Sequence, residues 1–154
     1  YIRHKPRHIT CVELNPEYVA IGKRVLPQAE WICSDALTYA CNESYDIVYG
    51  NPPFGNIQTS EAVQGRYKGS EFEYKIIEHG ASLADYGVWI VPQGSAGFVY
   101  SGAQYYDRRE SMKYKKFSSS TGLTFEAGCG IDTSIFKDQW HGTSVVREVV
   151  TIEC

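Results

Sequence analysis

The residues whose types and spacing are best suited to chemistry are Asn51-Pro52-Pro53-Phe54-Gly55. Asn51 brings a side-chain oxygen and Pro52 a carbonyl, both hydrogen-bond acceptors, and Phe54 brings a flat ring. The two prolines lack N–H groups and have fixed φ. Neither can continue a β-ladder, so they hold the backbone, and what Asn51 and Phe54 present, in one shape. Acceptors and a ring held in fixed relation are what a binding site is built from. The same residues also make an ordinary turn followed by an aromatic plug.

The elements that must position this turn can be read on either side of it. Before it, Tyr45–Gly50 contains the β-branched pair Ile47 and Val48 and stops at Gly-Asn-Pro-Pro, which predicts a buried strand ending in a rigid turn. Further upstream, Ile9–Leu14 is a β-rich run with Glu13 near its end. Asn15-Pro16-Glu17 then supplies an N-cap, a first-turn proline and an early carboxylate, and Tyr18, Ile21, Gly22, Val25 and Leu26 fall at helical spacing. Glu30–Cys33 reads as a second short strand, followed by Ser34-Asp35-Ala36-Leu37. Taken singly, Glu13 reads as a solvated carboxylate at a strand end, and Asp35 reads equally as the cap of a short helical turn.

After the turn, residues 55–69 are polar and glycine-containing, a mobile segment by composition. Ser70 and Glu73 have capping-box spacing, and Phe72, Ile76, Ile77, Gly80, Leu83 and Ala84 trace an apolar stripe that Gly87 would end. Val88–Val91 is an apolar strand suited to burial on both faces and stopped by Pro92; its place would be beside the Asn51 strand. Within residues 100–117, Arg108, Arg109, Lys113, Lys115 and Lys116 interleave with Tyr105, Tyr106, Tyr114 and Phe117. This mixture suits phosphate pairing with base stacking, and it equally suits a solvated charged helix with an aromatic inner face, because Asp107 and Glu110 dilute the charge. Leu123–Glu126 and Ser144–Ile152 read as two closing strands. The loop between them, residues 128–142, carries Asp132, Asp138, Trp140 and His141, and a lone His near an Asp reads as surface decoration more than as a catalytic group.

Composition bounds the function classes. A chain of 154 residues, 43% hydrophobic and 14% aromatic, has the apolar material for one globular domain. No apolar run reaches membrane-spanning length, and Tyr1-Ile2-Arg3-His4-Lys5 does not read as a signal peptide. Cys11, Cys33, Cys41, Cys129 and Cys154 are odd in number and lack Cys-x-x-Cys spacing, so reduced thiols, a cytosolic setting and no metal site are expected. The net charge of −3 excludes broad coating of nucleic acid and leaves room only for a local basic face. No internal repeats or low-complexity linkers are present.

Asn51-Pro52-Pro53-Phe54 resembles the Asn-Pro-Pro-(Phe/Tyr) signature of class I S-adenosylmethionine-dependent methyltransferases that act on planar amino groups, above all the DNA adenine-N6 enzymes. The resemblance implies a Rossmann-like α/β sheet with helices on both faces and a C-terminal antiparallel strand pair, with S-adenosylmethionine as cofactor. It also implies roles. Glu13 would accept from the two ribose hydroxyls of the cofactor, and Asp35 with its neighbour Ala36 would receive the cofactor's adenine amine. Asn51 and Pro52, held by Pro53, would aim the lone pair of an exocyclic amine, while Phe54 stacks on a base extruded from its helix. Glu13, Asp35 and Asn51 stand at three strand ends in the family's order, the strand–helix alternation of a doubly wound sheet.

The implied substrate is adenine N6 in DNA. The same turn occurs in enzymes that methylate ribosomal RNA bases or a protein glutamine amide, and a remnant of the fold that binds no cofactor is an alternative of a different class. No separate target-recognition domain is visible, so a separate recognition subunit or domain is a possible partner. One departure stands out. The first strand and glycine-rich loop of the resembled enzymes should lie before Ile9, yet only eight residues are there and none is glycine. An N-terminally incomplete domain is therefore expected, with a gap between the Glu13 and Asn51 strands.

Overall fold

The structure, a computed structural model, describes residues 3–59, 65–128, 130–139, 141 and 144–154. Cys129, Trp140 and the stretch 60–64 within the loop after the Asn51 turn lie outside the described residues, as do the first two residues of the chain. The chain divides into two compact units, Tyr1–Ala40 and Cys41–Cys154.

The first unit is a single β-α-β turn of chain. Strand β1 (Thr10–Glu13) leads to helix α1 (Pro16–Val25) and back to strand β2 (Glu30–Cys33), which lies parallel to β1 with Thr10 opposite Glu30 and Glu13 opposite Cys33. The helix starts as its sequence dictates. The Asn15 side chain accepts the Glu17 N–H, Pro16 needs no donor partner in the first turn, and Lys23 and Arg24 sit at the negative end of the helix dipole. Val19 is buried, and the Trp31 indole covers Gly22 while donating to the Leu26 carbonyl at 3.1 Å.

The second unit is built on a three-stranded sheet. Strand β3 (Tyr45–Gly50) pairs in parallel with β4 (Ala84–Pro92), and β4 pairs antiparallel with β5 (Arg147–Glu153). The Asn51 strand and the Val88–Val91 strand are therefore neighbours, as expected. Helix α2 (Phe72–Ala81) makes the crossover from β3 to β4, and helix α3 (Met112–Thr121) follows β4. The core is aromatic. Tyr74 stacks on Phe117 with centroids 4.5 Å apart, and Tyr67, Tyr114 and Phe125 pack around this pair. All five rings are buried, and the Tyr114 hydroxyl accepts the Phe125 N–H at 2.9 Å.

Four sequence expectations change here. First, β3 is not buried throughout: Ile47 is 51% and Tyr49 70% exposed, and, two residues apart, they share one face of the strand. Second, Gly87 does not end the helix. Helix α2 closes at Ala81, where Ser82 donates to the His79 carbonyl through both its N–H and its hydroxyl, so Leu83 lies past the helix and Ala84 opens β4. Gly87 lies inside β4 because β4 and β5 approach closely there: a Cβ on it would sit 2.6 Å from Ile152. Third, Leu123–Glu126 is not a strand. Only Glu126 bridges to Thr151, since Phe125 gives its N–H to Tyr114 instead of a ladder. The closing antiparallel pair is β4 with β5, and β5 begins at Arg147, not at Ser144. Fourth, residues on both flanks of stretch 60–64 are tied to α2: Lys75 donates to the Thr59 hydroxyl at 3.1 Å, and Glu78 accepts the N–H groups of Arg66 and Tyr67.

Close packing between α2 and the sheet gives a direct test. A Cβ at Gly80 would lie 2.6 Å from the Trp89 ring, and one at Gly50 2.8 Å from the same ring. Gly80→Ala would gain about 1 kcal/mol of helix propensity, but overpacking against a fixed indole costs about 1–3 kcal/mol. We expect a net loss of stability in urea unfolding. An unchanged or raised midpoint would show that Trp89 is free to move.

Candidate active site

The Asn51 turn is anchored at its ends and open in its middle. It leaves β3 at Gly50, whose ladder partner is Trp89. Pro52 is buried, whereas Asn51 and Pro53 are exposed and Phe54 is half-exposed. All peptide bonds of the turn are trans. Among the described residues no group hydrogen-bonds the Asn51 side chain, so its amide oxygen is unspent, while Phe54 is part-buried with no described ring packed on it.

Gly55 closes the turn at a φ of +87°, a conformation that costs a side-chain-bearing residue but not glycine. Both of its backbone groups are held by the start of α2. Its carbonyl accepts the Phe72 N–H at 2.8 Å, and its N–H donates to Glu73 Oε2 at 2.9 Å. The Glu73 carboxylate is 1% exposed, and its other oxygen accepts the Ser95 hydroxyl at 2.9 Å. Ser95 belongs to the 3-10 turn Gln93–Ser95 that follows β4, and its carbonyl accepts the Tyr74 hydroxyl at 2.8 Å. Glu73 thus joins the Asn51 turn to the end of the neighbouring strand. The expected capping box with Ser70 is absent, since α2 has Glu71 at its N-cap and no side-chain cap, and Glu73 points into the protein instead of back along the helix. The signal was present in the sequence: Glu73 falls three, four and seven residues before Ile76, Ile77 and Gly80, on the buried stripe and not on the wet face.

A second buried carboxylate braces the same end of the sheet. Glu148 of β5 has no solvent exposure, and its Oε1 accepts from Gln93 Nε2 at 2.7 Å and from the Tyr100 and Ser101 N–H groups at 2.9 Å. Its Oε2 accepts the Ser101 hydroxyl at 2.8 Å. The segment after β4 is therefore pinned on both sides of Ser95.

In the first unit, Glu13 ends β1 and Asp35 follows β2 by two residues, as the sequence predicts. Each spends one oxygen on the backbone: Glu13 Oε1 accepts the Asn15 N–H at 2.7 Å, and Asp35 Oδ1 accepts the Leu37 N–H at 2.9 Å. Each retains its second oxygen, and both remain partly accessible. The Asp35 bond is the turn-capping role weighed for it above, and it leaves the residue able to accept from a ligand as well.

The basic stretch splits. Arg108 pairs with Glu110 at 3.0 Å and Arg109 with Asp107 at 3.1 Å, both pairs being largely exposed and of little energetic weight. Tyr114 and Phe117 are buried in the core and unavailable for base stacking, so the aromatic inner face is realised. Lys113, Lys115 and Lys116 lie on the outer part of α3 and border an open groove with Tyr67, Glu71 and Ser119. The Tyr67 hydroxyl donates to Glu71, and the burial of Tyr67 raises its ionisation far above the ordinary phenol range. Asp132, in the loop of residues 128–142, caps the 3-10 turn Thr133–Gln139. It accepts the Ser134 and Gly102 N–H groups, and these bonds hold its carboxyl below the usual aspartate value. Among the described residues no cluster of His, Cys, Asp and Glu could hold a metal ion, and no described helix is long and apolar enough to cross a membrane.

Solved structures share the fold of this chain. The 23S rRNA methyltransferase ErmE superposes with a TM-score of 0.59 at 14% identity over 96% of this chain and 52% of its own. A S-adenosylmethionine-dependent methyltransferase from Clostridium acetobutylicum gives 0.54 at 9% identity, over 96% of this chain and 75% of its own. The fold is that of the Rossmann-like methyltransferases. The chain spans about half the length of ErmE. A pericyclic-reaction enzyme shares the same architecture, with a TM-score of 0.52 at 10% identity over 97% of this chain and 37% of its own, so the fold does not by itself choose the reaction. No protein-family model matches the chain, and no curated protein is significantly similar to it in sequence.

Proposed function

We propose that this protein is a S-adenosylmethionine-dependent methyltransferase that acts on an exocyclic amino group, adenine N6 in DNA. The observation that carries the proposal is the exposed, unspent Asn51 amide on a turn whose far end is fixed by Glu73. An aromatic amine is a poor nucleophile because its lone pair is delocalised into the ring. Two acceptors, the Asn51 oxygen and the Pro52 carbonyl, take its N–H bonds and leave the nitrogen lone pair directed outward, while Phe54 holds the ring plane. No covalent intermediate with the protein is needed.

The cofactor supplies the activated methyl group when bound. Glu13 and Asp35 fit its adenosine half, since each keeps an oxygen for hydroxyl or amine donors after satisfying its own backbone turn. Lys113, Lys115 and Lys116 are the candidate phosphate contacts, and Arg108 and Arg109 would join them only by exchanging their present carboxylate partners. The likeness to ErmE favours a second reading, in which the amine belongs to a base of ribosomal RNA.

The test is transfer of labelled methyl from S-adenosylmethionine to an adenine-containing DNA duplex, with a ribosomal RNA fragment in parallel. Label at N6 of adenine in DNA is the expected result. Label only in RNA would select the second reading, and label in neither from a protein that binds S-adenosylmethionine would remove both. A prediction for the cofactor accompanies it. Glu13→Ala should weaken binding of S-adenosylhomocysteine by about 1.5–3 kcal/mol for each charge-assisted bond lost. Calorimetry showing wild-type affinity in both Glu13→Ala and Asp35→Ala would remove the cofactor from these strand ends.

A further inference from the structure

We infer that Glu73 is a positioning residue for methyl transfer: its buried carboxylate sets the shape of the Asn51–Gly55 turn by holding the Gly55 N–H and the Ser95 hydroxyl at once. The inference rests on the methyltransferase reading for its kinetic consequence, but not for its structural one.

Three features separate this carboxylate from an ordinary core group. It is 1% exposed, and its described partners are two neutral donors, with no cation among them. A buried charge held only by neutral donors is costly unless those donors are fixed in place, and here they come from two loops that follow neighbouring strands of the sheet. Gly55 is four residues from Asn51, and the intervening prolines transmit its position with little slack. The carbonyl of Gly55 is tied to the Phe72 N–H, so the loop is gripped at one residue from two directions by the first turn of α2. Ser95 is itself fully buried, so its hydroxyl is a fixed donor, not a rotor facing water. Glu73 therefore acts as a ruler between the turn after β3 and the turn after β4. Asn51 makes the contact with the amine, and Glu73 acts through Asn51.

The replacements differ in an informative way. Glu73→Gln keeps one oxygen for the Gly55 N–H, and its amide NH₂ can donate to the Ser95 oxygen once that hydroxyl turns. Glu73→Leu fills the same space with no acceptor and leaves both donors unpaired. The first should largely rescue what the second loses.

Two readouts on the full chain keep the outcomes distinct. In native-state hydrogen exchange, the Gly55 amide should exchange at least about tenfold faster in Glu73→Leu, while amides of β4 and β5 keep wild-type protection. Glu73→Gln should stay near wild type. In the DNA methylation assay, kcat of Glu73→Leu should fall about 100-fold, the scale of an ångström of misplacement, with KM for S-adenosylmethionine little changed, and Glu73→Gln should recover most of the rate. Should Glu73→Leu fail to fold, Glu73→Gln paired with Ser95→Ala replaces it. Ser95→Ala removes one of the two donors and should lower kcat more than Glu73→Gln does. Unchanged Gly55 exchange in Glu73→Leu overturns the structural claim whether or not the protein methylates anything. Faster Gly55 exchange with wild-type kcat overturns the positioning role. A wild-type protein without methyl transfer but with the Gly55 effect would fault the proposed reaction and leave the ruler intact.

Discussion

Asn51→Ala should abolish methyl transfer to DNA while leaving affinity for S-adenosylhomocysteine nearly unchanged. The reason lies in where the side chain stands. It is exposed, it makes no hydrogen bond to any described residue, and the turn that carries it is held by Pro52 burial and the two Gly55 bonds, none of which involves the Asn51 amide. Truncation at Cβ therefore removes an acceptor without removing a support, and stability should move by less than about 0.5 kcal/mol, as for other surface changes. The loss in rate should be at least about 10²–10³-fold, the cost of one preorganised hydrogen-bonding group aimed at a reacting centre. Asn51→Asp is the sharper variant: it keeps an acceptor of the same size but adds charge, so it should retain more activity than alanine. Phe54→Ala belongs to the same experiment. If the ring stacks on the target base, substrate affinity should fall by about 1–3 kcal/mol, with cofactor affinity untouched. Turnover retained in Asn51→Ala would show that the open turn is only a turn.

The strand ends and their order were legible because local rules and tertiary structure agree there. Asn15, Pro16 and Glu17 start α1 by capping, dipole and φ preference at once, and Glu30–Cys33 offers the β-run that pairs with Thr10–Glu13. What misled was residues that serve two rules. Ser70 with Glu73 has the spacing of a capping box, but a buried acid that satisfies two loop donors outcompetes a solvent-side cap. Gly87 has the look of a helix stop, yet a glycine is equally demanded where Ile152 and Trp89 press on a strand. Leu123–Glu126 has strand composition, but the buried Tyr114 hydroxyl takes the donor that a ladder would need. Ile47 and Tyr49 are apolar and exposed, which composition alone cannot show, since burial depends on what lies beside a strand. The Asn51–Gly55 stretch was legible as a turn, and illegible as to what braces that turn, because the braces, Glu73 and Glu148, come from distant segments.

Glu148→Leu should produce the largest loss of stability of any single substitution considered. The carboxylate is wholly buried and accepts from Gln93, Tyr100 and Ser101. One of these donors has a second outlet: Gln93 Nε2 also donates to the Ser101 carbonyl at 3.0 Å, whereas at Thr133 the Ser101 hydroxyl oxygen accepts the N–H. The Tyr100 and Ser101 N–H groups have no other acceptor among the described bonds, so leucine leaves one buried and one part-buried backbone donor unpaired, at about 1–3 kcal/mol for each that stays out of water. Against a typical net stability of about 5–15 kcal/mol, that is a large fraction of what holds the unit folded. Glu148→Gln separates the loss of an acceptor from the loss of a charge. Its single oxygen, placed where Oε1 now lies, keeps the Gln93, Tyr100 and Ser101 N–H bonds, and its NH₂ faces a hydroxyl that can accept. A loss of about 1 kcal/mol is expected for it. Urea unfolding with equal m-values would measure both variants. The consequence should reach the Asn51 turn, because the segment that Glu148 pins contains Ser95, the donor to Glu73. Gly55 exchange should therefore quicken in Glu148→Leu even below the unfolding midpoint, and a Gly55 amide that stayed protected there would show that the two buried carboxylates act independently.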